Sequence, residues 1–133
     1  LDLFAGTGAL GLEALSRGAR RAVFIDDNVR SIATVRRNIQ ALAATDRTTV
    51  LQRDATQPGS PITSASLVFV DPPYRLGLAE KAIAAFAETG WFNSGALVIV
   101  EAEVTEPINP PGAFTFIETR DCGNAKFWFM SYP

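Results

Sequence analysis

Apolar residues recur along this chain in two rhythms. Short, mostly apolar stretches appear at Leu1–Phe4, Ala22–Ile25, Thr48–Gln52, Ser66–Val70 and Ala96–Val100. Runs of this length, bounded by polar and glycine-rich segments, predict buried parallel strands. Between them, apolar positions recur every three or four residues. Ile32, Val35, Ile39 and Leu42 mark one face of a helix over about Val29 to Ala44, with Arg30, Arg36, Arg37 and Gln40 opposite. The same spacing predicts helices over Ala9–Ser16, stopped by Gly18, and over Leu78–Glu88, with Gly90–Gly95 as a connection. Two later strands, about Ala113–Glu118 and Ala125–Met130, flank a hairpin turn at Asp121–Asn124.

The order is therefore βαβαβ, then βαβ, then a hairpin. Right-handed crossovers turn it into an open three-layer α/β sheet. Such sheets bind ligands beyond the carboxyl ends of their strands. The loops there hold Gly6, Gly8, Asp26, Asp54, Asp71 and Glu101. No repeat or second domain is visible, so a single domain over residues 1–133 is expected. The chain opens without Met on what reads as the end of a strand, and an N-terminal segment is expected upstream.

Composition narrows the chemistry. The chain has no histidine, which excludes His-based acid–base catalysis and His metal ligation; no metal is expected. A net charge of −2 without a basic block argues against grip on bare nucleic acid through phosphates alone. The one cysteine, Cys122, excludes an internal disulfide and suits a reducing, cytoplasmic setting. No apolar run approaches the roughly 20 residues of a membrane helix, and no membrane partner is expected.

Gly6-Thr7-Gly8-Ala9-Leu10-Gly11 is a G-x-G-x-x-G loop between strand and helix, and Asp26 follows twenty residues after Gly6. Glycines let a backbone approach a ligand, and an acid at the second strand's end accepts from ribose hydroxyls. Any adenosine-containing cofactor could use both. Asp2, inside an apolar strand, is costly unless used. It could meet the cationic amino-acid end of S-adenosylmethionine (SAM), whereas a pyrophosphate would gain nothing from it. The alternative is that Asp2 caps nearby loop amides. Asp54-Ala55 is placed to accept from an adenine amino group, or else to cap a turn.

Asp71-Pro72-Pro73-Tyr74 follows the fourth strand. Tandem prolines fix the backbone and remove two amide donors. Asp71 and the Pro72 carbonyl can then accept from an exocyclic NH2, while Tyr74 stacks on its ring. Methyl transfer to such an amine is an in-line displacement that needs alignment and a proton acceptor, and no metal.

Together these features resemble the SAM-dependent methyltransferases of Rossmann-like fold that act on exocyclic amines of nucleobases. The closer resemblance is to the RsmD-type bacterial 16S rRNA (guanine-N2)-methyltransferases. It is carried by Leu1 through Ala14, Arg17-Gly18-Ala19, Val70 through Tyr74, Val100-Glu101 and the final hairpin. The resemblance implies a mostly parallel seven-stranded sheet whose last strand is antiparallel. It implies SAM held by Asp2, Phe4, Gly6, Gly8, Asp26, Asp27, Asp54 and Ala55, and a guanine held by Asp71, Pro72, Pro73 and Tyr74. It also implies 16S rRNA, in the small ribosomal subunit or its assembly intermediate, as substrate for a cytoplasmic monomer. Two departures stand out. The family's Arg- and Gly-rich arm ahead of the first strand, expected to touch RNA, is not in this chain. Cys122 stands where a tyrosine is expected.

Two other readings stay open. An adenine-N6 DNA or RNA methyltransferase would use the same pocket logic. A NAD- or nucleotide-binding Rossmann protein would share the glycine loop and Asp26, but gains nothing from Asp2 or Asp71–Tyr74. Arg17, Arg20, Arg21, Arg53 and Arg75 are candidate phosphate contacts, or ordinary solvated surface.

Overall fold

The first strand is cut short by its own turn. In the computed structural model, which describes residues 1–133, β1 covers only Asp2–Leu3. Phe4 leaves the strand at φ 58°, a left-handed backbone unusual for a residue with a side chain. The chain divides into two compact units, Leu1–Ala55 and Thr56–Pro133.

In the first unit, β1 leads through the glycine loop to α1 (Ala9–Ser16), β2 (Ala22–Asp26), α2 (Val29–Ala41) and β3 (Thr48–Gln52). β1 pairs parallel with β2, Asp2 opposite Phe24 and Leu3 opposite Ile25. β2 pairs parallel with β3 from Ala22 opposite Thr48 to Asp26 opposite Gln52. The three strands therefore end together, and Asp26 stands at that end. Leu15, Phe24, Val35 and Ile39 pack with Ala5, Ala22 and Ala44 as the core beneath the loop. α2 starts on Asn28, whose side chain accepts from the Arg30 and Ser31 amides. It stops at Ala41 rather than at the expected Ala44. Ala43 takes φ 52°, its amide donates to the Gln40 carbonyl and the Ala44 amide to that of Ile39. These bonds satisfy the helix's last carbonyls and turn the chain away.

In the second unit the order is β4 (Ala65–Val70), α3 (Leu78–Glu88), β5 (Phe92–Glu103), β6 (Thr115–Cys122) and β7 (Ala125–Ser131). β4 and β5 are parallel, with Val70 opposite Val100. β7 runs antiparallel to both β5 and β6. The apolar face predicted for α3 is buried at Ala79, Ala82, Ile83 and Phe86. β5 is longer than its apolar run, because Phe92 already pairs with Ala65. The segment assigned to a connection is thus partly strand. Its Asn93-Ser94-Gly95 triplet is exposed and carries no core signal, yet the Gly95 amide still bonds the Tyr132 carbonyl. The hairpin is tighter than expected: Cys122 pairs with Ala125, which leaves Gly123-Asn124 as a two-residue turn with Gly123 at φ 60°. The fold class is α/β, with seven strands mostly parallel and the last one antiparallel.

Candidate active site

The first unit carries the residues expected to hold a cofactor. Asp26 clasps the glycine loop: its Oδ2 accepts from the Gly6 amide at 2.9 Å and its Oδ1 from the Asn28 amide at 2.9 Å. Each carboxylate oxygen keeps a further lone pair for a hydroxyl. Asp27 beside it is exposed. Asn38 of α2 holds the loop from another side, its Nδ2 donating to the Thr7 carbonyl at 2.8 Å. Nothing in the chain's helical periodicity marked Asn38 for this. The loop is thus held at Gly6 and at Thr7.

The glycines divide the labour. At Gly6, a Cβ would come only within 3.9 Å of the Phe4 carbonyl, so the backbone there is open to an approaching ligand. At Gly8, with φ 80°, it would meet Phe24 and Val35 at 3.3 Å. At Gly11 it would lie 2.4 Å from Phe24 Cε1, which no side chain tolerates. Gly6 thus leaves room above the loop, while Gly8 and Gly11 let it and α1 lie on the core.

Asp2 is 1% exposed, the buried charged residue of the core. Its Oδ2 accepts from the Gly11 amide at 2.9 Å. Gly11 lies in the first turn of α1, where amides have no helical partner and the helix dipole favours negative charge. The cap reading of Asp2 is therefore realised. At the end of β3, the Arg53 amide donates to the Asp26 carbonyl at 3.0 Å, which sets Asp54 next to that strand end. Asp54 is exposed and Ala55 buried. An open backbone at Gly6, a buried acid at Asp2 and acids closing β2 and β3 fit an adenosine cofactor with a cationic end.

The second unit carries the Asp-Pro-Pro-Tyr stretch at the end of β4. Asp71 is half-buried, and its pKa is pushed up to about 6 by burial first and by the Glu101 charge second. Pro72 is buried and Pro73 exposed. Tyr74 is 41% exposed, and its phenol donates to Glu101 Oε1 at 3.1 Å. Burial and the neighbouring carboxylates, Glu101 foremost, raise the phenol pKa. Arg75 follows at φ 63° and is not free for a phosphate. Its Nε donates to Glu103 Oε2 at 2.6 Å, and its Nη2 to Glu103 Oε1 and Thr105 Oγ1, both at 2.9 Å. Its amide donates to Glu106 Oε1 at 2.9 Å. The guanidinium lowers the Glu103 pKa by hydrogen bonding. Arg17 is likewise paired, with Glu13 at 2.7 Å, whereas Arg20 and Arg21 are exposed. No three Asp, Glu or Cys side chains are grouped to hold a metal. No helix is long and apolar enough to cross a membrane.

The family model for Conserved hypothetical protein 95 matches residues 1–131. The chain belongs to this family. It is 33% identical over 132 residues to Ribosomal RNA small subunit methyltransferase D of Haemophilus influenzae, covering 96% of this chain and 68% of that protein. It is 40% identical over 104 residues to the Escherichia coli protein of the same name, covering 78% of this chain and 52% of that one. The chain thus spans between about half and two thirds of these relatives. The solved structure of Escherichia coli yhhF matches at TM-score 0.86 and 34% identity, over 98% of this chain and 75% of that one. An RNA methyltransferase of Salinibacter ruber, solved with S-adenosyl-L-homocysteine, shares the fold at TM-score 0.75 and 18% identity, over 99% of this chain and 78% of that one. Relatives of this chain are thus named as rRNA methyltransferases, and the Rossmann-like methyltransferase fold expected from the sequence is the fold of this member of the Conserved hypothetical protein 95 family.

Proposed function

We propose that this member of the family is a SAM-dependent methyltransferase that modifies the exocyclic N2 amine of a guanine in 16S rRNA. The observation that carries the reading is Asp71: a half-buried carboxylate at the end of β4, followed by two prolines and an exposed Tyr74 ring. Asp71 and the Pro72 carbonyl accept the two amine hydrogens, which turns the nitrogen lone pair out of conjugation. Pro72 and Pro73 keep that acceptor pair rigid. Tyr74 stacks on the base, an interaction of about 1–3 kcal/mol. Asp71 takes on the charge of the departing proton, a role that suits a pKa near neutrality.

SAM, when bound, supplies an electrophilic methyl group and leaves as S-adenosylhomocysteine. Asp2 answers the ammonium of its amino-acid end. Asp26 and Asp27 accept from the ribose, Asp54 and Ala55 border the adenine, and Phe4, Gly6 and Gly8 present backbone to the cofactor. The names of the relatives support rRNA as substrate, with the small ribosomal subunit or its assembly intermediate as the particle met. A target amine has to be unpaired or flipped out, because stacking hides it. We place the enzyme in the cytoplasm as a monomer.

The test is transfer of labelled methyl from SAM to 16S rRNA and to partly assembled small subunits. Label on guanine N2 is expected; label confined to adenine or DNA would replace this reading with the adenine-N6 one, since Asp71–Tyr74 serves either base. Calorimetry against SAM, S-adenosylhomocysteine and NAD covers the remaining case. Tight NAD binding with no SAM heat would make the chain a nucleotide-binding Rossmann protein.

A further inference from the structure

Two carboxylates of β5, Glu101 and Glu103, and a third just beyond it, Glu106, bear on the Asp-Pro-Pro-Tyr stretch, and two of the three are answered by one arginine. Arg75 gives its guanidinium to Glu103 and its amide to Glu106. Glu101 is left with a different partner, the Tyr74 phenol, and forms no ion pair. Arg75 and Tyr74 are consecutive, so the loop after Pro73 is tied to β5 at two successive residues. The tie through Arg75 is backbone and charge; the tie through Tyr74 ends on the ring that is to receive the base. A left-handed φ at Arg75 and another at Gly77 show how sharply the loop bends between these ties and α3.

We propose that Glu101 is a positioning residue of the amine-receiving site: from the end of β5 its carboxylate holds the Tyr74 ring by the phenol and keeps a second negative charge beside Asp71. The inference rests on the methyltransferase reading above and extends it to a residue outside the motif. A held ring offers its face without losing rotational freedom at each binding event, which lowers the ordering cost of stacking. Val70 of β4 lies opposite Val100 of β5 in parallel register, so Asp71 and Glu101 follow at neighbouring positions, and a negative charge there makes the Asp71 carboxyl a better proton acceptor than burial alone would. The charged and titratable groups around Asp71 in this unit are Glu101, Tyr74 and, through Tyr74, Glu103. Arg75 pairs with Glu103, and Glu101 is the carboxylate that acts on Asp71.

Two substitutions separate the two actions. Glu101→Gln keeps an oxygen for the phenol and removes the charge; Glu101→Ala removes both. The first readout is the carbon-13 titration of the Asp71 carboxyl, which needs no RNA. Its midpoint is expected near 6 in the unsubstituted chain and lower in both variants. The second is binding of a guanine-containing single-stranded oligoribonucleotide. A several-fold loss is expected in Glu101→Ala and recovery in Glu101→Gln. SAM affinity, measured alongside, should be equal in all three and reports an intact fold. An Asp71 midpoint in Glu101→Gln equal to that of the unsubstituted chain overturns the charge role, and equal oligonucleotide affinity in all three overturns the ring role. Should Asp71→Ala still methylate guanine at the full rate, the parent reading of Asp71 fails instead. The two failures are thereby told apart.

Discussion

The Asp2 carboxylate and the Gly11 amide meet at 2.9 Å inside the core, nine positions apart in the chain. The bond fastens the first strand to the first turn of α1. Gly11 there lies so near Phe24 that a Cβ would stand 2.4 Å from Cε1 and 2.9 Å from Cζ. Gly11→Ala is therefore expected to destabilise the chain, although alanine is the better helix former by up to about 1 kcal/mol. Overpacking of a buried aromatic costs about 1–3 kcal/mol and outweighs that gain. A lower urea midpoint at unchanged slope is the expected result.

Asp2 has a structural role and a proposed cofactor role, and one substitution divides them. In Asp2→Asn the amide oxygen still accepts from Gly11, so the fold should persist. The charge facing the ammonium of SAM is lost. Affinity for SAM and S-adenosylhomocysteine should then fall by roughly tenfold, equivalent to about 1.4 kcal/mol. Affinity for 5′-methylthioadenosine, which lacks the amino-acid end, should hold. Equal loss for all three compounds would leave Asp2 as a helix cap only.

Asp71 links activity and stability to pH with opposite signs. Its pKa is raised to about 6, so the folded chain takes up a proton more readily than the unfolded one. The ionised form therefore costs stability, fully above pH 6, and the cost fades as pH falls toward the unfolded value near 4. Asp71→Asn should stabilise the chain at pH 7 by on the order of 1 kcal/mol, after discounting for solvent screening, and by little at pH 4. Methyl transfer should decline as pH falls through about 6, because protonated Asp71 no longer accepts from the amine. Thermal unfolding of the pair at both pH values and a pH–rate profile check the two signs. A residue that destabilises the fold while serving the reaction is the expected trade at such a site.

Arg75 gives a contrast with free surface arginines. Its side chain is spent on Glu103 and Thr105, so Arg75→Ala should lower turnover by loosening the Tyr74 loop. It should leave the salt dependence of RNA binding almost unchanged. Removal of a true phosphate contact reduces that log–log slope by nearly one. Filter binding across a salt series distinguishes the cases, and Arg20→Ala with Arg21→Ala are the matched controls on exposed arginines.

Much of this molecule follows from the order of its residues. The apolar runs and the three- and four-residue spacing placed the three α-helices and seven strands to within a few residues, missing the first part of β5 and the single turn of helix at Thr45–Arg47. They could do so because covered parallel strands read as apolar stretches and amphipathic helices repeat about every 3.6 residues. Positive-φ glycines and strand-ending acids marked the loops at the strand ends, since only those residue types suit sharp turns beside a polar ligand. What the sequence could not decide was how each carboxylate is spent. Asp2 and Asp26 read as ligand acceptors, yet both already hold backbone amides of the glycine loop and α1. Arg75 read as a phosphate contact and is bound to Glu103, 28 positions away. Glu101 lay in a strand-end loop with no assigned role until β5 carried it to the Tyr74 phenol. Local periodicity depends on neighbours along the chain, whereas the use of a charge depends on which distant group the fold brings within about 3 Å.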